Sequence, residues 1–141
     1  MAFVHGKDSY CALDDSSGTE RNLSSFIDNV TDAMGRALSD VTAFGDEGVK
    51  NIPGLQNSTF SITGHWDPTA TTGPHAVLSG LVSASDTATV SFGPAGNTAG
   101  LPSVTAECWV TNYSITSAVA EKISFSVDLQ VDGTVTFGTF S

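Results

Sequence analysis

Residues 123–131 have the sequence Ile-Ser-Phe-Ser-Val-Asp-Leu-Gln-Val, in which apolar and polar residues alternate without a break. Successive side chains of a β-strand point to opposite faces, so the apolar residues share one face and the polar residues share the other. A helix, with 3.6 residues per turn, would scatter the same apolar residues around its axis. The stretch therefore predicts a β-strand with one buried face.

A second alternating stretch precedes it, at residues 57–66. Phe60, Ile62 and Trp66 fall on one predicted face. The residues on the other face are Thr59, Ser61, Thr63 and His65. In both stretches the second face is neither strongly charged nor apolar. Such a face is typical of a wet cavity or pore wall, or of plain solvent surface, and the pattern leaves both interpretations open.

The remaining pattern predicts a mainly β chain with one α-helix. Val77, Leu78, Leu81 and Val82 form an apolar stripe at helical spacing behind Pro74, which suits the first helical position. The predicted helix is 74–83, and the predicted strands are 9–14, 20–23, 30–43, 57–66, 87–92, 103–115, 121–131 and 134–140. The sum is an antiparallel β-sandwich or barrel with one flanking helix.

Four segments have recognisable turn chemistry. Residues 14–19 form a predicted turn in which Gly18 takes positive φ, and Ser24 or Ser25 is predicted to cap a single helical turn through Phe26, Ile27 and Asp28. Asp132-Gly133 predicts a tight hairpin between the last two strands. Residues 44–56 are rich in Gly and Pro and predict a projecting loop or a long hairpin tip.

Length and charge bound the possible functions. The 141 residues fit a single domain, 1–141, and the formal net charge is −10, from 15 acidic and 5 basic residues. This balance argues against binding of nucleic acid through Lys and Arg, and equally against binding of an anionic membrane.

The first residues predict the compartment. Residues 1–8 lack the apolar core of a signal peptide and are expected to form a flexible arm. We therefore expect the chain to begin in the cytoplasm, with Cys11 and Cys108 as free thiols.

No pattern of catalytic or cofactor-binding residues is present. The chain lacks the phosphate-loop, dinucleotide, metalloprotease and nucleophile-elbow motifs. His65 with Asp67 supplies too few ligands for zinc, and residues 14–20 lack the Gly and Glu that a calcium loop needs. No cofactor, no metal and no enzymatic activity are expected.

An acidic cluster and an aromatic cluster could each form a functional site, but both have a simpler interpretation. Asp40 with Asp46 and Glu47 could act as an acid/base pair, but a solvated loop is the simpler interpretation. The aromatic residues Trp66, Trp109 and Tyr113 could stack on a sugar, although core or interface packing is the more common use.

Several segments together resemble a known family. They are Asp40-Val-Thr-Ala-Phe-Gly-Asp46, Ile52-Pro-Gly-Leu55, residues 57–67 and Phe125-Ser-Val-Asp-Leu-Gln-Val-Asp-Gly133, preceded by Leu23-Ser-Ser-Phe-Ile-Asp28. In order and spacing they resemble the tail tube (major tail) proteins of long-tailed bacteriophages, over nearly the whole chain.

The resemblance implies a β-sandwich with a flanking helix that forms hexameric rings. The rings would stack into a hollow tube, and strands from six subunits would join into one continuous inner β-barrel. Genomic DNA would pass through the lumen without specific binding. The implied partners are further copies of the chain, a tape-measure protein and tail-tip or terminator proteins, with no membrane, in a virion assembled in the host cytoplasm.

The resemblance also gives the residue pattern two expected roles. The lumen-facing candidates are Ser124, Ser126, Asp128 and Gln130, together with Thr59, Ser61 and Thr63. The projecting loop is expected to pack on an adjacent ring or subunit through Phe44, Ile52 and Leu55, with Asp46, Glu47 and Lys50 as its polar rim.

A different class of function remains as the alternative. A non-enzymatic β-sandwich module that binds a surface or decorates a virion would be a monomer or trimer with exposed aromatic residues. A small hydrolase is disfavoured because no nucleophile–base pattern is present.

Overall fold

The computed structural model describes residues 3–141 of the chain. In this part the chain forms eight strands, one α-helix and a short 3₁₀ turn at Gly6–Asp8. The elements are β1 Tyr10–Asp14, β2 Glu20–Asn22, β3 Ile27–Asp40, β4 Asn51–His65, α1 Pro74–Val82, β5 Ala88–Gly93, β6 Pro102–Thr116, β7 Ser124–Val131 and β8 Thr136–Thr139. Residues 1–2 of the predicted flexible arm lie outside the described residues, and the 3₁₀ turn lies within its remainder.

All eight strands belong to one antiparallel sheet, in the order β2-β1-β5-β6-β7-β4-β3. The strand β8 is off this path and pairs with β6. The prediction of a mainly β antiparallel fold with one helix is therefore confirmed.

The link between β2 and β3 forces this sheet to curl. The two strands lie at opposite ends of the strand order, which in a flat sheet would separate them by six spacings, or roughly 29 Å. Only residues 23–26 join them, and a chain of that length spans at most about 18 Å. The two ends of the sheet must therefore approach each other, and the sheet becomes a sandwich with an inside and an outside.

Backbone hydrogen bonds hold the curled sheet at this link. The N–H of Leu23 donates to the carbonyl of Cys11 in β1 at 3.1 Å, and the N–H of His65 in β4 donates to the carbonyl of Phe26 at 2.7 Å. The predicted helical turn through Phe26, Ile27 and Asp28 is wrong. The N–H of Phe26 donates to the carbonyl of Leu23 at 3.0 Å and closes a single turn, and the chain then enters β3 at Ile27 because the flanking backbone groups bond to β1 and β4.

The inside of the sandwich holds a single apolar core. Leu13, Phe60, Val90 and Val127 come from strands in both halves of the sheet, and each is at least 99% buried. The helix α1 adds Val77, Leu78 and Leu81. Burying side chains of this kind stabilises the fold by about 1.5–3 kcal/mol each.

The helix begins as predicted, with Gly73 at the N-cap and Pro74 at the first position. Val82, predicted to belong to the apolar stripe, is instead 54% exposed. It lies five residues after Val77, which is about 140° away around the helix axis, so the two side chains cannot share one face.

The predicted tight hairpin at Asp132-Gly133 is also wrong. Gly133 does have positive φ, at +94°, but β7 and β8 do not pair with each other. Both pair with the same side of the 15-residue strand β6: β8 with residues 102–105 and β7 with residues 108–116. After β7 the chain remains beside β6, because the N–H of Asp132 donates to the carbonyl of Glu107 at 2.7 Å.

The longest feature is the hairpin of β3 and β4, of 14 and 15 residues. Its loop covers residues 41–50, so residues 44–50 of the predicted projecting segment lie in the loop and residues 51–56 lie in β4. No helix among residues 3–141 is both long and apolar enough to cross a lipid bilayer.

We expect Gly64→Ala to destabilise the protein by several times more than Gly48→Ala. A Cβ at position 64 would clash with the carbonyl oxygen of Phe26 and lie 2.9 Å from the Cα of Ile27, whereas a Cβ at position 48 meets nothing within 4 Å. The clash is between backbone segments, so neither can move without opening the sheet; a loss of about 3 kcal/mol is expected. Urea denaturation of both variants measures it, and equal stabilities would contradict the proposed closure at Phe26.

Candidate functional site

The seven predicted polar-face residues lie together on one face of the sheet. The pairing of β4 with β7 places Thr59 opposite Gln130, Ser61 opposite Asp128, and Thr63 opposite Ser126. The intervening pairs, such as Phe60 with Leu129, point into the core. Ser124, the remaining candidate, is opposite His65 on the same outer face.

The same face continues onto the two flanking strands. On β3, Asn29 and Thr31 pair with residues of β4. On β6, Asn112, Ser114 and Thr116 pair with residues of β7. We call the outer surface of β6, β7, β4 and β3 the polar face. Sequence reasoning missed these five residues because bulges in β3 and β6 interrupt the alternation that identified β4 and β7.

Side-chain hydrogen bonds on the polar face use neutral donors. The hydroxyl of Ser61 donates to Asp128 at 3.2 Å, and the hydroxyl of Thr63 donates to Asp28 at 3.0 Å. The four strands contain a single Lys or Arg, which is Arg36, and its pairing register puts it on the opposite side of the sheet. The polar face is therefore hydroxyl-rich and weakly acidic, and has no cation to hold a phosphate.

Two free strand edges border the polar face. Among the described residues, no strand pairs with the outer edge of β3. On the other side, β5 pairs with residues 104–108 of β6, so residues 109–116 of β6 have no strand on that edge. Free edges carry unpaired N–H and C=O groups that can pair with another chain.

The β3–β4 hairpin exposes a group of apolar side chains. Phe44 at its tip is fully exposed, and Leu55 is 86% exposed. The others are Met34, Leu38, Val41, Val49 and Ile52. Seven exposed apolar side chains on one hairpin make it a candidate interaction surface.

The tip of the hairpin has a defined conformation. The N–H of Ala43 and the ammonium of Lys50 both bind the carboxylate of Asp46, at 2.8 and 2.9 Å, and lower the pKa of that carboxyl. Of the predicted loop residues, Phe44, Asp46, Glu47 and Lys50 lie in the loop, whereas Ile52 and Leu55 lie in β4.

Two of the acidic and aromatic candidates, Asp67 and Trp66, have local partners. Asp67 accepts hydrogen bonds from the hydroxyl and N–H of Thr69, which lower the pKa of its carboxyl. Trp66 lies beside His75 instead of forming a surface with Trp109. Within residues 3–141, no three His, Cys, Asp or Glu side chains are grouped to hold a metal ion.

Both cysteines are buried in the core as free thiols. Burial raises the pKa of Cys11 and of Cys108 to about 12, so neither forms a reactive thiolate at neutral pH.

Asp32 is a functional candidate that the sequence pattern did not indicate. It lies on the core-facing side of β3, opposite Phe60. Both of its carboxylate oxygens are covered from solvent without a hydrogen-bond partner in residues 3–141, and burial raises the pKa of this carboxyl. An uncompensated carboxylate at a free edge is a local cost to the isolated subunit.

The comparison with known proteins points to one architecture. No family model and no curated protein sequence matches the chain. The tail of a gene transfer agent particle, determined with C6 symmetry, has a TM-score of 0.77 at 15% identity, over 97% of this chain and 100% of that one. The SPP1 tail tube has a TM-score of 0.76 at 10% identity, over 99% and 81%. A sheath–tube complex of an extracellular contractile injection system has a TM-score of 0.71 at 12% identity, over 97% and 92%.

At these identities the likeness establishes the fold. The chain has the fold of tail tube proteins over almost its full length, as the sequence resemblance predicted.

We expect Asp32→Leu to stabilise the unassembled subunit at pH 7 by about 1 kcal/mol. The pKa of Asp32 is raised in the folded state, so the ionised carboxylate destabilises the fold at pH values above both the folded and the unfolded pKa. This cost shrinks as pH falls below the folded pKa and is gone below the unfolded pKa, and the advantage of the variant should shrink accordingly. Urea denaturation at pH 7 and pH 4 measures this, with Thr31→Val as a β3 control; a pH-independent gain would contradict it.

Proposed function

We propose that this chain is a structural virion protein, the subunit of a phage tail tube, and not an enzyme. Six copies form a ring, and stacked rings form the tube through which genomic DNA passes into the host. The observation that carries this proposal is the polar face with a free strand edge on either side, on a chain that has the tail tube fold.

The free strand edges would join each copy to its neighbours in the ring. The strands β6, β7, β4 and β3 alternate in direction, so β3 of one copy meets β6 of the next copy in antiparallel orientation. Residues 109–116 of β6 supply the unpaired edge. Six copies would contribute 24 strands and close a barrel about 45–50 Å across its backbone, given ordinary strand spacing and tilt. Closure would satisfy the edges that the isolated subunit leaves open.

The polar face would then line the lumen, with Ser124, Ser126, Asp128 and Gln130 beside Thr59, Ser61 and Thr63. Hydroxyls hold water, and Asp128 repels phosphate. The face has no Lys or Arg to neutralise a polyanion, so DNA gains no electrostatic binding energy and slides. Six copies with a net charge of −10 each give a formal charge of −60 per ring.

The exposed hairpin would provide the contacts between rings. Phe44, Ile52 and Leu55 supply apolar surface, and Asp46, Glu47 and Lys50 form its rim. An exposed apolar surface of this kind is costly in a free subunit and stabilising once a second copy covers it.

The other partners follow from the same role. Among the proteins of similar fold are the tube-terminating cap of an anti-feeding prophage and a sheath/tube terminator of a contractile injection system. We accordingly expect the tube to bind tape-measure and tail-tip or terminator proteins, and to be assembled in the host cytoplasm as part of the virion.

Negative-stain microscopy of the purified protein tests the proposal directly. We expect six-fold rings and long tubes without any added ligand, because free edges and an exposed hairpin are present in every copy. A monodisperse monomer or trimer that binds glycans would favour a surface-binding or decoration module instead.

Lys side chains on the wall of the lumen should make DNA bind there instead of sliding through. We expect tubes of the double variant Ser61→Lys, Ser126→Lys to retain duplex DNA, with affinity that falls steeply as salt rises, whereas unmodified tubes retain none. Ser79→Lys, in an exposed position on α1, is the control for added charge outside the polar face. Filter retention of labelled DNA measures this; equal retention by Ser79→Lys tubes and the double variant would place Ser61 and Ser126 outside the lumen.

A further inference from the structure

On the basis of the proposed tube, we propose that a specific pair of surfaces joins one ring to the next. The side chain of Phe44 inserts into a cavity at the opposite end of β3 in a second copy of this chain, and Glu47 pairs with Lys7 at the rim of that cavity. The tip of the hairpin is the inserting part, and the cavity is its receptor.

The cavity has a volume of about 540 Å³ and lies between the 3₁₀ turn, β1, β5 and the first residues of β3. It is large enough for an aromatic side chain and is not filled by the chain itself. Its apolar lining consists of Tyr10, Cys11, Ile27, Val30 and Phe92. An aromatic side chain that entered it would leave water for an apolar environment.

The same copy cannot supply the occupant. Val30 lines the cavity at one end of β3, and Asp40 ends the strand ten residues later, which is roughly 33 Å at the rise of a β-strand. Phe44 lies beyond that end, at the tip of the hairpin, where it is fully exposed. The inserting group and its receptor therefore lie at opposite ends of the subunit.

Charge is complementary between the two surfaces. Lys7 and His5 line the cavity. At the tip, Lys50 already neutralises Asp46 at 2.9 Å, whereas Glu47 makes no ion pair within residues 3–141. Asp28 is the one carboxylate in the lining, and it accepts a hydrogen bond from Thr63 at 3.0 Å on the polar face. The chain has a net charge of −10 and only five Lys and Arg residues. One of these five, Lys7, borders the cavity.

The arrangement also gives the correct symmetry for a tube. A contact between two different surfaces is heterologous, and it repeats without closing when the surfaces lie at opposite ends of the molecule. Each ring would then present six tips on one side and six cavities on the other. Stacking by this contact is open-ended and has a direction.

Charge reversal tests the rim pair. We expect Glu47→Lys and Lys7→Glu, each alone, to form normal rings but at least ten-fold fewer tubes, and the double reversal to restore tubes. Failure of the double variant to restore tubes would overturn the pairing. If the unmodified protein forms no rings, the proposed function is wrong instead. The two failures are therefore distinguishable.

Substitution at the tip tests the insertion. We expect Phe44→Leu, which keeps an apolar side chain, to retain tubes, and Phe44→Ser to give rings that do not stack. Tubes of normal length from Phe44→Ser would overturn the insertion.

Cross-linking tests which copies meet. The double variant Glu47→Cys, Lys7→Cys should form disulfides between rings, because each copy then carries one cysteine at its tip and one at its cavity rim. A non-reducing gel should show a ladder that continues beyond six subunits. A ladder that stops at six would place the contact within one ring, and its absence would remove the contact; either result overturns the proposal. Each single variant is a control: Cys108 is buried, and Glu47→Cys alone shows whether a cysteine at the tip reaches Cys11 in the cavity lining.

Discussion

The short link between β2 and β3 is the constraint on which the rest of the molecule depends. Four residues join strands at opposite ends of the sheet, so the sheet can exist only in a curled form. The carbonyl of Phe26 and the close approach of Gly64 fix the point of closure. One face each of β1, β4, β5, β6 and β7 is thereby turned inward to a common core, and the polar face of β6, β7, β4 and β3 is turned outward.

Much of this could be predicted from the sequence, because alternation is a local signal that assigns side chains to faces. The faces of β4 and β7 followed from residues 57–66 and 123–131. Their register did not follow, because it depends on which backbone groups pair, and no local pattern encodes that choice. The polar residues of β3 and β6 were missed for a different reason, because bulges interrupt the alternation along those strands.

The two wrong turn predictions have a common physical cause. Ser24 carries a capping signal, but its hydroxyl bonds to the backbone of Cys11 instead. Asp132-Gly133 carries a hairpin signal, but β6 is long enough to bind both flanking strands. In each case a distant strand offered hydrogen bonds that outweighed the local preference. Asp32 differs, since nothing in its surroundings within the sequence distinguishes it from a solvated acid; only the tertiary fold covers its carboxylate.

The strand β6 has a mechanical consequence. Its first half pairs with β5 and β8 in the body of the subunit, and its second half pairs with β7 in the polar face. One unbroken backbone therefore spans both parts. If a wall built from the polar face bends or twists, the force acts directly along the backbone of β6. No flexible linker lies between the two halves of this strand. In the proposed tube, each subunit should therefore be stiff, and bending of the tube would occur where one layer of subunits meets the next.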